Sequence, residues 1–181
     1  MESKSYTFAS MTTAYLGSID YYRSLLREGQ SIDTSVVYTK QTSMNRCRID
    51  SPNGPLTLSV PVVNPHRRVS VGEVLISEHG NWRHQHWNAL VSSYRQTPYF
   101  DYYEEEFAPF YYECKWKRLA DFNMELHETV MRLLDPFPLL PEERCLSGAY
   151  HQMFASKHGF MENLSIVDLL FNMGPESVYY L

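Results

Sequence analysis

The chain has 181 residues, with 16 Lys and Arg against 21 Asp and Glu, a formal net charge of -5, 44% hydrophobic and 14% aromatic residues. That length fits one domain with a full core, since domains run about 100 to 150 residues, and the aromatic content excludes a disordered chain. The excess of acid argues against a broad phosphate-backbone surface, so no nucleic-acid partner is expected. Cys47, Cys114 and Cys145 are widely spaced and form no C-x-x-C pattern, which points to a reducing cytoplasm. The opening residues lack an apolar signal core, and no stretch approaches the roughly 18 apolar residues of a membrane span.

Residues 6 to 10 read as a short first strand. Ala14 to Leu26 follows as a helix with Leu16, Ile19, Tyr22 or Arg23, and Leu26 at helical spacing, ended by Gly29. Ser35 to Thr39 carries a β-branched and aromatic run expected as the second strand of a right-handed parallel crossover. Asn45 to Asp50 and Leu56 to Val62 flank Asn53-Gly54, the strongest short-range hairpin signal. A two-residue turn there sets Ile49 opposite Leu58 and Arg48 opposite Ser59. Cys47, Ile49, Leu56, Leu58 and Val60 then share an apolar face, and Arg46, Arg48, Asp50, Thr57 and Ser59 a polar one.

Val71 to Ser77 is expected as a further strand and Asn81 to Tyr94 as a helix. Thr97 is expected to cap a new helix with Pro98 at its first position, and Pro109 to bend or restart it. Lys115 to Leu134 has the best helical pattern, with Leu119, Phe122, Leu126, Val130 and Leu133 on one stripe. A proline-rich connection spans 135–141, Tyr150 to Ala155 reads as a late strand, and Ser165-Ile166-Val167-Asp168 as a capping-box start to the last helix. The expected fold is a single α/β domain over 1–181. It has a mixed β-sheet, an N-terminal βαβ unit, a central β-hairpin and flanking helices.

Three constellations carry candidate chemistry. Lys40, Asn45, Arg46 and Arg48 gather on the polar hairpin side, where alternate guanidinium forks match carboxylate or phosphate oxygens; the alternative is a solvated face paired with acids. In Trp82-Arg83-His84-Gln85-His86-Trp87 the two histidines point about 200° apart on a helix, so no metal is expected there. Trp82 falls near His86 and Arg83 near Trp87, and His86 stands as an acid-base candidate. The acidic run Glu104 to Glu106 reads as a solvated face and its neighbouring tyrosines as pocket-lining. No nucleophile elbow, phosphate loop or dinucleotide fingerprint occurs, so no cofactor is expected.

These landmarks resemble the WbqC-like protein family in its short Bacteroidetes form. The resemblance rests on Ala14-Tyr15-Leu16-Gly17, Asn45-Arg46-Cys47-Arg48-Ile49 with Asn53-Gly54, and Leu58-Ser59-Val60-Pro61-Val62. It continues through Trp82-Arg83 with His86-Trp87, Tyr94 with Thr97-Pro98-Tyr99-Phe100, Leu119 through Asn123, Tyr150 with Gln152, and the run Asn163 to Gly174. Longer relatives open with H-x-P-x-Y where this chain reads Thr12-Thr13-Ala14-Tyr15, and the connection from Leu134 to Tyr150 is abbreviated. The resemblance implies an acyl or aminoacyl transferase-like protein acting on an amino sugar or similar anionic small molecule in surface-polysaccharide biosynthesis. A nucleotide sugar or an acyl thioester is the expected partner, and the oligomeric state stays open. His86 and Lys40 are the expected catalytic residues, and Tyr15, Asn45, Arg46, Arg48, Tyr94, Tyr150 and Gln152 the expected ligand-binding ones. The alternative is a non-catalytic small-molecule-binding or interaction member.

Overall fold

The first crossover forms as the pattern requires, with different boundaries. In the computed structural model, which describes residues 10–63, 68–134, 146 and 148–181, β1 (Ser10–Thr12) and β2 (Ser31–Asp33) pair in parallel. Helix α1 (Ile19–Glu28) joins them. It starts five residues later than the spacing predicts because Ala14 to Gly17 form a turn. Leu16 takes a positive φ of 42°, and the Tyr15 amide donates to the Ser43 carbonyl at 2.9 Å. Ser18 then caps the helix by accepting from the Tyr21 amide, and Gly29 closes it at φ 61°.

The Ser35 to Thr39 strand is corrected: β2 ends at Asp33. Val36 to Tyr38 instead bond the loop before Val71, through Tyr38 N–H to Val69 O at 2.9 Å and Val71 N–H to Val36 O at 2.8 Å. Val71 to Ser77 is not a regular strand either. The Glu73 carboxylate accepts from the Ser70 amide and hydroxyl, winding Val71–Glu73 into one 3-10 turn, after which Leu75 and Ile76 make isolated bridges.

The hairpin of β3 (Arg46–Ile49) and β4 (Leu56–Ser59) is antiparallel, pairing Arg46 with Ser59, Cys47 with Leu58, Arg48 with Thr57 and Ile49 with Leu56. This register is two residues away from that of a tight Asn53-Gly54 turn. Asp50 cannot pair across because its N–H is taken by the Tyr94 hydroxyl, and Ser51 organises the longer loop by donating to the Gly54 carbonyl at 2.6 Å. A slip of two preserves the faces, so Cys47, Ile49, Leu58 and Val60 are buried as expected. Two residues depart from the pattern: Leu56 is exposed, and Asp50 is buried.

Helix α2 (Trp82–Tyr94) matches expectation. Thr97 does not cap a new helix. Its hydroxyl donates to the Tyr94 carbonyl at 2.6 Å, closing α2, and α3 (Phe100–Phe107) begins after Tyr99. Pro109 restarts the chain as α4 (Pro109–Tyr112), and α5 (Leu119–Leu134) buries Leu119, Phe122, Leu126 and Val130 while Leu133 is half-buried. No strand forms over Tyr150 to Ala155; α6 (Ala155–His158) starts there instead. Ser165 precedes α7 (Ile166–Met173) as foreseen, yet its hydroxyl donates to the Leu16 carbonyl at 2.7 Å rather than capping. Gly174 ends α7 at φ 54°. The expected proline-rich segment, Cys145 and strand residues 6–9 lie outside the described residues.

The parallel pair and the hairpin are two small sheets of an α/β arrangement whose centre is aromatic. Phe171 of α7 meets Tyr94, Phe100 and Phe107 with ring centroids 5.2, 5.1 and 5.5 Å apart, joining α2, α3 and α7. Phe171→Ala is expected to cost about 3–5 kcal/mol in urea-melt stability, because a fully buried ring leaves a cavity.

Candidate functional site

The expected site residues divide into two groups and one outlier. The first group surrounds a shallow hollow of about 320 Å³ whose walls include Tyr38, Lys40, Asn45 and Ser59. Lys40 is exposed, whereas Asn45 is 8% exposed and donates through Nδ2 to the Val60 carbonyl at 3.0 Å. Its Oδ1 is buried without a hydrogen-bond partner. Arg46 is half-buried, its Nε also lacks a partner, and its charge opposes the upward push that burial gives the Tyr38 phenol.

His86 and Tyr15 lie behind this wall. The imidazole bonds the Ser59 backbone, and Nδ1 lies 2.9 Å from the Tyr15 hydroxyl, itself 2.9 Å from the Tyr111 hydroxyl. Burial pushes His86 down to about 4, so it is neutral at physiological pH. The Tyr15 hydroxyl stands within hydrogen-bond distance of both the imidazole and the Tyr111 hydroxyl. Trp82 packs edge-on against the imidazole at 5.1 Å, as the four-residue spacing predicts, while the Arg83 guanidinium covers Trp82 at 4.5 Å rather than Trp87.

The second group converges on Asp168, which has no exposed surface. Tyr94 donates to Oδ1 at 2.7 Å, Tyr150 to Oδ2, and Gln152 Nε2 approaches Oδ2 at 3.3 Å. Gln152 also bonds the Met161 backbone at both ends of its amide. Burial raises the Asp168 carboxyl to about 6 even though the two phenols stabilise its charge. Buried Asp50 adds to the rise and is itself shifted upward by burial. Tyr150 forms part of a separate pocket of about 220 Å³ that includes Arg23, Phe160, Glu162 and Asn163.

Arg48 is the outlier. It shares a strand face with Arg46, but its exposed guanidinium donates to the Glu162 carbonyl at 2.9 Å, away from the Lys40 hollow. Sequence reasoning missed Tyr111, whose partner Tyr15 is 96 positions away, and read Asp50 as a surface group. One local signal marks the first group. Among the described residues, the non-glycine positive-φ positions are Leu16, Gln41 and Asn163, and two of them adjoin Tyr15 and Lys40.

A family model described as the WbqC-like protein family matches residues 14–136. The chain belongs to that family. The matched span contains Tyr15, Lys40, Asn45, Arg46, His86, Tyr94 and Tyr111 and stops before Tyr150, Gln152 and Asp168. No curated protein and no solved structure matches the chain. Among the described residues, no His, Cys, Asp and Glu side chains cluster to hold a metal ion, and no helix is long and apolar enough to cross a membrane.

The Asp168 network has a pH signature. At pH 7.5 the carboxylate is ionised, and Tyr94→Phe removes a hydrogen bond to a buried charge, worth about 2–3 kcal/mol. At pH 4.5, below the raised pKa of about 6, the carboxyl is protonated and the same substitution is expected to cost less. Urea melts of wild type and Tyr94→Phe at the two pH values check this. An equal loss at both rules out a change in Asp168 ionisation between pH 4.5 and 7.5, and with it the raised pKa.

Proposed function

We propose that this WbqC-family chain binds an anionic small molecule at the Lys40 hollow, in the service of acyl or aminoacyl transfer to an amino sugar for surface-polysaccharide assembly. The observation that carries the reading is the meeting of Lys40 and Asn45 in one hollow, with Arg46, Tyr15 and His86 gathered on or behind its wall. A nucleotide-linked amino sugar and a pantetheine thioester both bring phosphate charge. Lys40 supplies a flexible point charge for such a group, and the unpartnered Asn45 Oδ1 supplies an acceptor for a hydroxyl or amine.

Positioning and charge stabilisation are the contributions this geometry favours. His86 enters as a neutral positioning group rather than as the proton carrier its place in the sequence implied, because it is 5% exposed, its Nδ1 is engaged by Tyr15, and burial pushes it down to about 4. The same inaccessibility favours the second reading, a family member that binds its ligand without turning it over.

Thermal melts with UDP-glucosamine and acetyl-coenzyme A test the proposal. A ligand at 100 times its Kd stabilises the native state by about 2.7 kcal/mol. At least one of the two is expected to raise Tm, with Lys40→Ala and Asn45→Ala each weakening that ligand tenfold or more. Equal binding by wild type and both variants overturns the site, and no shift with either ligand overturns the substrate class. Mass spectrometry of the ligand after incubation with an amino-sugar acceptor separates transfer from binding alone.

A further inference from the structure

A different hollow, of about 390 Å³, opens at the start of α2, with Glu78, Trp82, Arg83, Tyr111, Tyr112 and Cys114 among its walls. Arg83 and Glu78 form an unequal ion pair across it. The arginine side chain is 7% exposed and the glutamate 59% exposed. Nη1 and Nη2 of Arg83 engage the two carboxylate oxygens, the second at 3.1 Å, so the fork holds its partner bidentately. The cation also lies on the face of Trp82. The guanidinium is fixed by the core, whereas the carboxylate arrives from an irregular segment on the solvent side.

Two further donors at this place are unsatisfied. Arg83 Nε and Trp82 Nε1 are buried without hydrogen-bond partners, on side chains 6% and 5% exposed. The helix start adds to them, because Asn81 makes no side-chain cap to the first turn of a 13-residue helix. Buried polar groups are ordinarily paired, so three kinds of unfilled or replaceable donor around one hollow call for an acceptor-rich guest. The volume exceeds that of a bare ion, and Tyr112, 67% exposed, offers an open ring face beside it.

We propose that this hollow is a binding site for a ring-bearing organic phosphate, and that Glu78 is an intramolecular stand-in for the ligand's anion which the ligand displaces from Arg83. The site is independent of Lys40. Its seat is the buried guanidinium, its wall the aromatic group of Trp82, Tyr111 and Tyr112, and its occupancy is set by competition between two anions for one fork.

The test compares wild type with Glu78→Gln, using phenyl phosphate and inorganic phosphate as probes. The substitution removes the competing charge while keeping the side chain's shape, and it leaves Arg83 unpaired, so the variant is expected to melt below wild type. Phenyl phosphate is expected to bind Glu78→Gln at least tenfold more tightly than wild type and to raise its Tm by more. Inorganic phosphate is expected to bind both more weakly than phenyl phosphate does. Arg83→Met should abolish the phenyl phosphate response, Tyr112→Ala should weaken it without affecting inorganic phosphate, and Lys40→Ala should leave it unchanged. Equal phenyl phosphate affinity in wild type and Glu78→Gln overturns the displacement, even if Arg83→Met fails to fold. A response that vanishes in Lys40→Ala assigns the binding to the other hollow and overturns this one.

Discussion

The Asp168 carboxylate is held inside the protein by neutral partners, two phenols and an amide, contributed by distant parts of the chain. A buried charge without such donors is costly, and each donor removed leaves the remaining lone pairs uncompensated. The arrangement therefore acts as a joint. Tyr94 brings α2, Tyr150 and Gln152 bring the segment before α6, and Asp168 itself brings α7. The Tyr94 hydroxyl, whose proton goes to Asp168, accepts from the Asp50 amide and so draws the end of the hairpin to the same point.

That joint also explains why the hairpin register differs from its turn signal. A two-residue Asn53-Gly54 turn requires Asp50 to pair with Thr57, but the Asp50 amide is committed to Tyr94 and its side chain to the Ser51 amide. The loop lengthens and the strands slip by two. Period-two alternation is blind to such a slip, which is why the buried face of Cys47, Ile49, Leu58 and Val60 was legible in sequence while the pairing was not. Helix α5 was legible for the corresponding reason: it carries its own period, and the observed span differs from the expected one by a turn at its start. Val36 to Tyr38 and Val71 to Ile76 have strand-like composition, but their hydrogen bonds are shared among several irregular partners.

Among the candidate residues, those close together in the chain were legible as a group, and the links between distant ones were not. Lys40, Asn45 and Arg46 are near one another in the chain, so their association follows from local spacing. The link from His86 to Tyr15 spans 71 positions and that from Tyr94 to Asp168 spans 74, and no local pattern encodes either. Alternation placed Arg46 and Arg48 on one face but said nothing about how far a long side chain then travels. Arg48 reaches the Glu162 carbonyl, while Arg46 keeps its guanidinium partly inside. Arg83 was read as an aromatic neighbour of Trp87, because the helical period gives directions on α2 and is silent about Glu78, which precedes the helix.

The chain of Tyr111, Tyr15, His86 and Ser59 connects the walls of the two hollows, and its burial limits what it can do. Its three side chains are buried, and Tyr15 stands between the other two at 2.9 Å from each. A proton entering at Tyr111 would have to be accepted by an imidazole whose burial holds it neutral down to a pH of about 4. The chain is therefore a brace and not a wire. It fixes α4, the turn before α1, α2 and β4 relative to one another, so the Lys40 wall and the Arg83 wall stand at a set separation.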